Sequence, residues 1–440
     1  MSERGNLTGE HGSADPWPPS GEMWPPARPS PAGPPSRRPG NGGSTFQPRT
    51  GSKFALRRLG VLVLVLALVG AGLWWFGIRD DGPSVADPAP VEQLELQAWA
   101  PYWTLEHSVP QFERRSMYFS EVSPFWFQAA GVDEIRADPN APEGRTRQFL
   151  RAARAAEIPI VPSIVDATGA GGMANILASE GQRRRHVDAI VRFVERGDFD
   201  GVDLDYESFA FADGRDTWAT TRPNWVTFIE ELSGKLHAAD KTLTVSIPPV
   251  FDGERTDESG YWVYDYAAIT PLVDHIRVMA YDYSTTEPGP IAPIDWVRSA
   301  AEGTADVSGD PSKLVLGLPI YGYNWPTETQ GTCPPDDPNT GRTTINLRTL
   351  YELLDRRGVA DPTFVEETGE SRFTYELTIG EGDTQCTQTR RVHFVDDVGA
   401  QLRLEIAKEN GFGGVALWAF GFENGKVWDR LVPSLVKAPG

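Results

Sequence analysis

The residues of this chain best suited to chemistry are three acids two positions apart, Asp203, Asp205 and Glu207, in the stretch Phe199-Asp200-Gly201-Val202-Asp203-Leu204-Asp205-Tyr206-Glu207. Val202, Leu204 and Tyr206 alternate with them. A period of two predicts a strand with the carboxylates on one face and the apolar side chains on the other. Like charges held that close repel. The repulsion raises the pKa of at least one carboxyl group and suits it to act as a general acid. Two plainer readings compete. Alternating acids also occur on a solvated strand face, but Gly201, Val202 and Leu204 read as a buried strand. Aspartates at this spacing occur in calcium loops, which need a glycine at the sixth position and polar residues between the ligands; here those residues are apolar. The six histidines show no metal-ligand spacing, so neither a metal nor a cofactor is expected. Asp200 has the opposite parity and is expected to hold the entry turn.

A strand of this kind needs a scaffold, and the pattern on both sides supplies one. Strands are expected at Leu94–Trp99, Val122–Phe127, Ile158–Val165, Thr242–Ile247, His275–Tyr281, Leu314–Leu318 and Gly414–Trp418, besides the acidic strand itself. Amphipathic helices alternate with them at Arg145–Ala156, Gly181–Glu195 and Trp225–Ala239, where apolar residues recur at helical spacing. Eight strands alternating with helices predict an α/β fold, a TIM (β/α)8 barrel, with the site at the C-terminal ends of the strands. Residues 326–395 are too long for a simple connection and carry β-rich pieces, Phe373–Ile379 and Arg390–Val395. They are expected to form a small α+β insertion between the seventh and eighth strands. Both cysteines, Cys333 and Cys386, lie in it; they form a disulfide if the domain is exported, and are free thiols otherwise.

The rest of the chain bears on location. Acids outnumber bases, 61 to 41, for a formal net charge of −20, which argues against a nucleic-acid partner. Residues 1–58 are rich in Pro, Gly, Ser and Arg and are expected to be disordered. Trp17 and Trp24 interrupt that tail and would suit a partner-binding motif. Leu59–Ile78 is an uncharged apolar run of about the 20 residues that a bilayer core requires. Arg57 and Arg58 precede it, and Trp74, Trp75 and Phe76 close it like an interfacial belt. A cleaved signal peptide is the competing reading, but the long tail and full spanning length favour a retained transmembrane helix. The tail would then be cytoplasmic and everything after Arg79 extracytoplasmic, with residues 79–92 a linker and 93–440 the folded domain.

Asp200-Gly201-Val202-Asp203-Leu204-Asp205-Tyr206-Glu207 resembles the D-G-x-D-x-D-x-E signature of glycoside hydrolase family 18, the chitinases and related N-acetylglucosaminidases. The resemblance implies a TIM barrel with this strand as its fourth and Glu207 as the acid. It implies a retaining reaction in which the substrate's own acetamido group attacks C1. Asp205 would hold the acetamido N–H and share a proton with Asp203. Met279-Ala280-Tyr281-Asp282 resembles the family's M-x-Y-D. Tyr281 would orient the acetamido oxygen, and Asp282 would bind a sugar hydroxyl or steady Tyr281. Trp418 resembles the tryptophan that floors the pocket of the cleaved sugar. Tyr102, Trp103, Trp126 and Tyr321, at predicted strand ends, either line the cleft or belong to the core. Several family members carry a similar insertion, in which a disulfide would tie the ends of the lobe.

Ser163-Ile164-Val165-Asp166 keeps only the serine of the family's S-x-G-G, which sets the chain apart from typical crystalline-chitin chitinases. The phrases Leu316–Trp325, Val392–Asp397 and Gly413–Trp418 are similar to those of spore cortex-lytic and cell-wall N-acetylglucosaminidases. The resemblance implies an N-acetylglucosaminidase, and the apolar run read as an anchor favours peptidoglycan, cut after N-acetylglucosamine, because an anchored enzyme meets its own wall first. A chitinase or chitooligosaccharidase is the alternative within the class. A carbohydrate-binding protein or a wall scaffold working through its tail are the alternatives outside it.

Overall fold

The computed structural model describes residues 93–250, 260–359 and 361–436. The Pro-rich tail and the apolar run Leu59–Ile78 lie outside these residues. Among the described residues no helix is long and apolar enough to cross a membrane.

Eight parallel strands close into a barrel. In chain order the strands are β1 (Glu95–Pro101), β2 (Phe119–Ala129), β3 (Ile135–Ala137), β4 (Ser163–Asp166), β5 (Gly201–Asp205), β6 (Thr242–Ile247), β7 (His275–Val278) and β8 (Leu314–Pro319), then β9 (Tyr321–Gly331), β10 (Thr343–Asn346), β11 (Thr363–Val365), β12 (Glu370–Ile379), β13 (Cys386–Phe394) and β14 (Gly414–Trp418). The ring runs β1-β2-β4-β5-β6-β7-β8-β14 and returns to β1, with β3 folded back on β2 as a hairpin. The acidic strand β5 is its fourth member. Helices Glu143–Ala155, Glu180–Gly197 and Arg215–His237 are among those alternating with the strands.

Local chemistry explains where the elements differ from the periodic pattern. The third barrel strand, expected from Ile158, enters the ladder only at Ser163 because Pro159 and Pro162 have no N–H to give; a single bridge, Val122 to Ile160, precedes it. The sixth strand stops at Val278, three residues short of expectation, and Asp282 turns the chain with φ 58°. The helix expected at Trp225 begins at Arg215 and runs through Pro223. Burial of Trp218, whose Nε1 donates to the Phe209 carbonyl at 2.6 Å, outweighs the missing hydrogen bond of the proline.

Between β8 and β14 the chain builds a second, antiparallel sheet in the order β10-β9-β13-β12-β11, with helix Leu347–Arg357 beside it. It opens at Tyr321, five positions before the expected 326, because β9 starts directly after β8. Cys333 and Cys386 are joined by a disulfide. That bond ties the loop after β9 to the first residue of β13.

Candidate active site

Gly201 starts β5 where a Cβ would meet Thr242 Oγ1 at 2.1 Å, so only glycine lets the acidic strand lie against β6. Asp200, just before it, accepts the backbone N–H of Ile160 at 2.8 Å. It fixes the strand entry, as its parity predicts. Alternation then sends Val202, Leu204 and Tyr206 toward the helices, where Tyr206 stacks on Phe228 with ring centroids 6.3 Å apart.

Asp203 is fully buried inside the barrel. Its Oδ2 accepts from Trp99 Nε1 (3.1 Å), Ser163 Oγ (2.6 Å) and Arg277 Nη1 (3.0 Å), and its Oδ1 from Ser246 Oγ (2.8 Å). Asp205 lies two residues closer to the strand end and is also buried. Among the described residues its Oδ1 receives no N–H or hydroxyl. Burial, followed by the charges of Glu207 and Asp203, pushes its carboxyl well above the ordinary range, against the pull of Arg277. The Asp205 and Glu207 carboxyl groups lie within hydrogen-bonding reach of each other. Four donors from other strands occupy Asp203.

Glu207 lies beyond the last ladder residue of β5 and is half-buried. Burial, then the charge of Asp282, lifts its carboxyl to about 7, with the Asp205 hydrogen bond opposing the rise. No strand pairing holds this segment, so side chains do. Tyr264 donates its hydroxyl to the carbonyl of Tyr206 at 2.8 Å. Tyr206 donates in turn to Nε2 of the buried His186 at 2.8 Å, whose Nδ1–H is spent on the Val132 carbonyl.

Tyr281, Asp282 and Trp418 converge on the acids. Tyr281 is buried, and burial together with the charge of Asp205 drives its hydroxyl well above the usual range. Its ring lies parallel to that of Trp418, 6.5 Å away at 13°. Met279 is buried just after β7. Asp282 is 2% exposed and accepts from Tyr321, through a short hydrogen bond, and from Tyr323 at 2.7 Å.

The strand-end aromatics divide. Phe125 faces Trp418 at 4.9 Å, and Trp103 stands behind Phe125 at 6.3 Å. Trp126 does not line the cleft. It packs edge-on against Phe149 of helix Glu143–Ala155, because alternation along β2 turns it away from Phe125. Tyr321 is fully buried and donates its hydroxyl to Asp282. Tyr102 is half-buried in the turn after β1, against Trp103 and beside Asp138 and Asn140.

Sequence reasoning missed Arg277, Trp99, Ser246 and Tyr323. Arg277 carried a signal: a charged residue inside an otherwise apolar barrel strand needs a buried counter-charge. The partners of Trp99, Ser246 and Tyr323 lie on other strands, so no local pattern marks them.

The sequence model of glycosyl hydrolases family 18 matches residues 125–423. The uncharacterized glycosylase YvbX of Bacillus subtilis is 23% identical over 260 residues, 59% of this chain and 68% of that protein. The cortical fragment-lytic enzyme of Bacillus subtilis is 22% identical over 349 residues, 78% of this chain and 74% of that protein. The crystal structure of a chitinase from Chromobacterium violaceum shares the fold, with a TM-score of 0.63 at 20% identity over 78% of this chain and 98% of that one.

Proposed function

Because the chain belongs to glycosyl hydrolases family 18, we propose that it cleaves the β-1,4 bond after N-acetylglucosamine in peptidoglycan, with retention and with help from the substrate. The observation that carries this reading is the pair Asp205 and Glu207. Burial raises both carboxyl groups, which in this reading hold one proton between them, and among the described residues a buried oxygen of Asp205 has no protein donor. An acetamido N–H supplies that donor. The proton then passes to Glu207, which gives it to the departing glycosidic oxygen. The acetamido oxygen, steadied by the Tyr281 hydroxyl, attacks C1 and forms an oxazolinium ion, whose N–H rests against the Asp205 carboxylate. Glu207, now ionised, takes a proton from water as that water opens the ring at C1. Two displacements at C1 return the β configuration. Trp418 offers a flat apolar face to the sugar's C–H groups.

Support for peptidoglycan over chitin comes from the cortical fragment-lytic relative and from the apolar run Leu59–Ile78. In this reading the run anchors the chain with residues 1–58 in the cytoplasm and the barrel facing the wall. The disulfide suits that oxidising side. Chitin is the second reading, favoured by the chitinase that aligns over 98% of its length.

The test incubates the full-length chain and its Glu207→Gln variant with purified peptidoglycan and with chitooligosaccharides, with products read by mass spectrometry. Muropeptides ending in reducing N-acetylglucosamine, absent with the variant, are the expected result. Cleavage of chitooligosaccharides alone makes it a chitinase. Binding without cleavage by wild type makes it a carbohydrate-binding protein and removes Glu207 from its role.

A further inference from the structure

A buried ion pair joins the inserted lobe to the barrel, and the reaction above does not use it. Glu370, the first residue of β12, is 1% exposed, and Arg403 of helix Asp397–Glu409 is fully buried. Their charged groups approach to 3.4 Å. The closer bonds of both run to main chain. Glu370 Oε2 accepts the backbone N–H of Ile291 at 3.0 Å, and Oε1 accepts that of Ala292 at 2.6 Å. Arg403 Nη2 donates to the Ala292 carbonyl through a short hydrogen bond. Its Nη1 donates to the carbonyls of Gly369 (2.9 Å) and Gly399 (2.8 Å).

Ile291 and Ala292 close the loop that follows β7. That loop leaves the barrel at Met279, carries Tyr281 and Asp282, and ends where helix Ile294–Ser308 begins. Pro288, Pro290 and Pro293 leave its second half short of N–H groups. The loop folds back on itself where the Tyr283 N–H donates to the Ile291 carbonyl at 2.8 Å. The residue after Asp282 is therefore bonded to a residue that Glu370 holds. The turn before Glu370 adds a second fastening, since the Thr368 carbonyl accepts the Ile294 N–H at 2.9 Å. Gly369 allows this approach. Its φ is 61°, and a Cβ there would meet Ile294 Cβ at 3.0 Å.

The lobe also grips the other end of the loop. Tyr321 and Tyr323 of β9 both donate their hydroxyls to Asp282, the second at 2.7 Å. Tyr281, next in the chain, has its ring between Trp418 at 6.5 Å and Tyr321 at 6.4 Å. Ile291 and Ala292 are fully buried. Removing the Glu370 carboxylate would leave their N–H groups buried without an acceptor, and the loop would shift to find one.

We propose that Glu370 is a positioning residue for the hydrolysis: by fixing Ile291 and Ala292 it sets, through Tyr283, where Asp282 and the Tyr281 hydroxyl stand when the acetamido group closes on C1. The inference rests on the hydrolase reading above and gives the inserted lobe a task inside the catalytic geometry.

The test compares the full-length chain with its Glu370→Gln variant, with folding checked by thermal unfolding. Glutamine keeps the length of the side chain and one acceptor oxygen, so one of the two loop N–H groups loses its partner. On whichever glycan the wild type cleaves, kcat/KM should fall by about 10- to 100-fold, the upper value matching a displacement of about 1 Å. Affinity for the thiazoline of N-acetylglucosamine, a stable copy of the cyclised acetamido ring, should fall by about tenfold or more with it. A merely structural role would shrink the active fraction, which lowers kcat and leaves the inhibition constant where it was. Hydrogen exchange read by mass spectrometry follows the loop without turnover. The peptide spanning 279–293 should exchange about tenfold faster in the variant, and that spanning 201–207 should not change.

An unchanged inhibition constant in folded Glu370→Gln, or unchanged exchange over 279–293, overturns the proposal. If Glu370→Gln does not fold, Gly369→Ala presses the same turn against Ile294, and an unchanged inhibition constant there overturns it instead. A wild type that cuts no glycan and does not bind the thiazoline sinks the hydrolase reading, while the exchange over 279–293 still decides whether Glu370 holds the loop.

Discussion

Gly317 has no part in any reaction, yet replacing it should cost most of the activity. An alanine Cβ there would sit 2.7 Å from Cε1 and 3.4 Å from Cδ1 of Tyr281, and 3.0 Å from the Val278 carbonyl oxygen. Carbon atoms pack at about 3.5–4.0 Å, so something must yield by roughly 1 Å. β8 cannot, because β7 and β14 are bonded to its two edges. The Tyr281 ring must move, and Trp418 on one side and Tyr321 on another leave it little room. A misplacement of about 1 Å is worth about 100-fold in rate, or about 2.7 kcal/mol at 1.36 kcal/mol per tenfold. The overpacking itself should cost about 1–3 kcal/mol of stability. Steady-state kinetics on Gly317→Ala should therefore show kcat down by about two decades, and urea unfolding the matching stability loss. In Tyr281→Phe the hydroxyl is already gone, so adding Gly317→Ala should lower kcat little further. A single variant within about twofold of wild type, the scatter of uncoupled sites, or full additivity in the double variant, would refute the reasoning.

Other consequences follow from the same geometry. The Glu207 carboxyl sits at about 7 in the folded protein against an ordinary 4.5. The native state therefore binds more protons in that window, and this contribution is complete below the lower value and lost as the pH rises through the higher one. Thermal unfolding should show Glu207→Gln stabilising the protein above about pH 7 and leaving acidic samples unchanged; no gain at high pH would contradict the burial argument. Trp126→Ala should cost about 3–5 kcal/mol of stability with KM intact, whereas Trp418→Ala should damage turnover, and kinetics beside denaturant melts separate the two. The disulfide closes a sequence separation of 53 residues, so Cys333→Ser should destabilise by roughly 2–4 kcal/mol, measured by urea unfolding with and without reductant.

Much of the barrel could be read from periodicity because each strand and helix must hide one face whatever its neighbours are. Thr242–Ile247 and Gly414–Trp418 sit where their alternation puts them. The elements that moved did so for reasons outside a periodic window. Pro159 and Pro162 delayed β4, and the buried Trp218 carried a helix through Pro223. The inserted sheet was visible as a break in rhythm, but its start at Tyr321 was not, since β9 shares its first apolar residues with the end of a barrel strand.

By itself the sequence determined the acids and their order. Spacing along a strand is covalent, so Asp203, Asp205 and Glu207 had to share a face, with Asp200 left out of it. What tertiary structure decided was which donors and charges each acid meets. Asp203 takes its four donors from β1, β4, β6 and β7, at sequence distances up to 104 residues for Trp99. The same holds for the aromatics. Trp126 and Tyr321 looked like cleft residues because their positions were at strand ends, yet one faces a helix and the other spends its hydroxyl on Asp282. Composition and spacing identify the charges; only closing the barrel brings together the groups that neutralise some of them and leave others free to react.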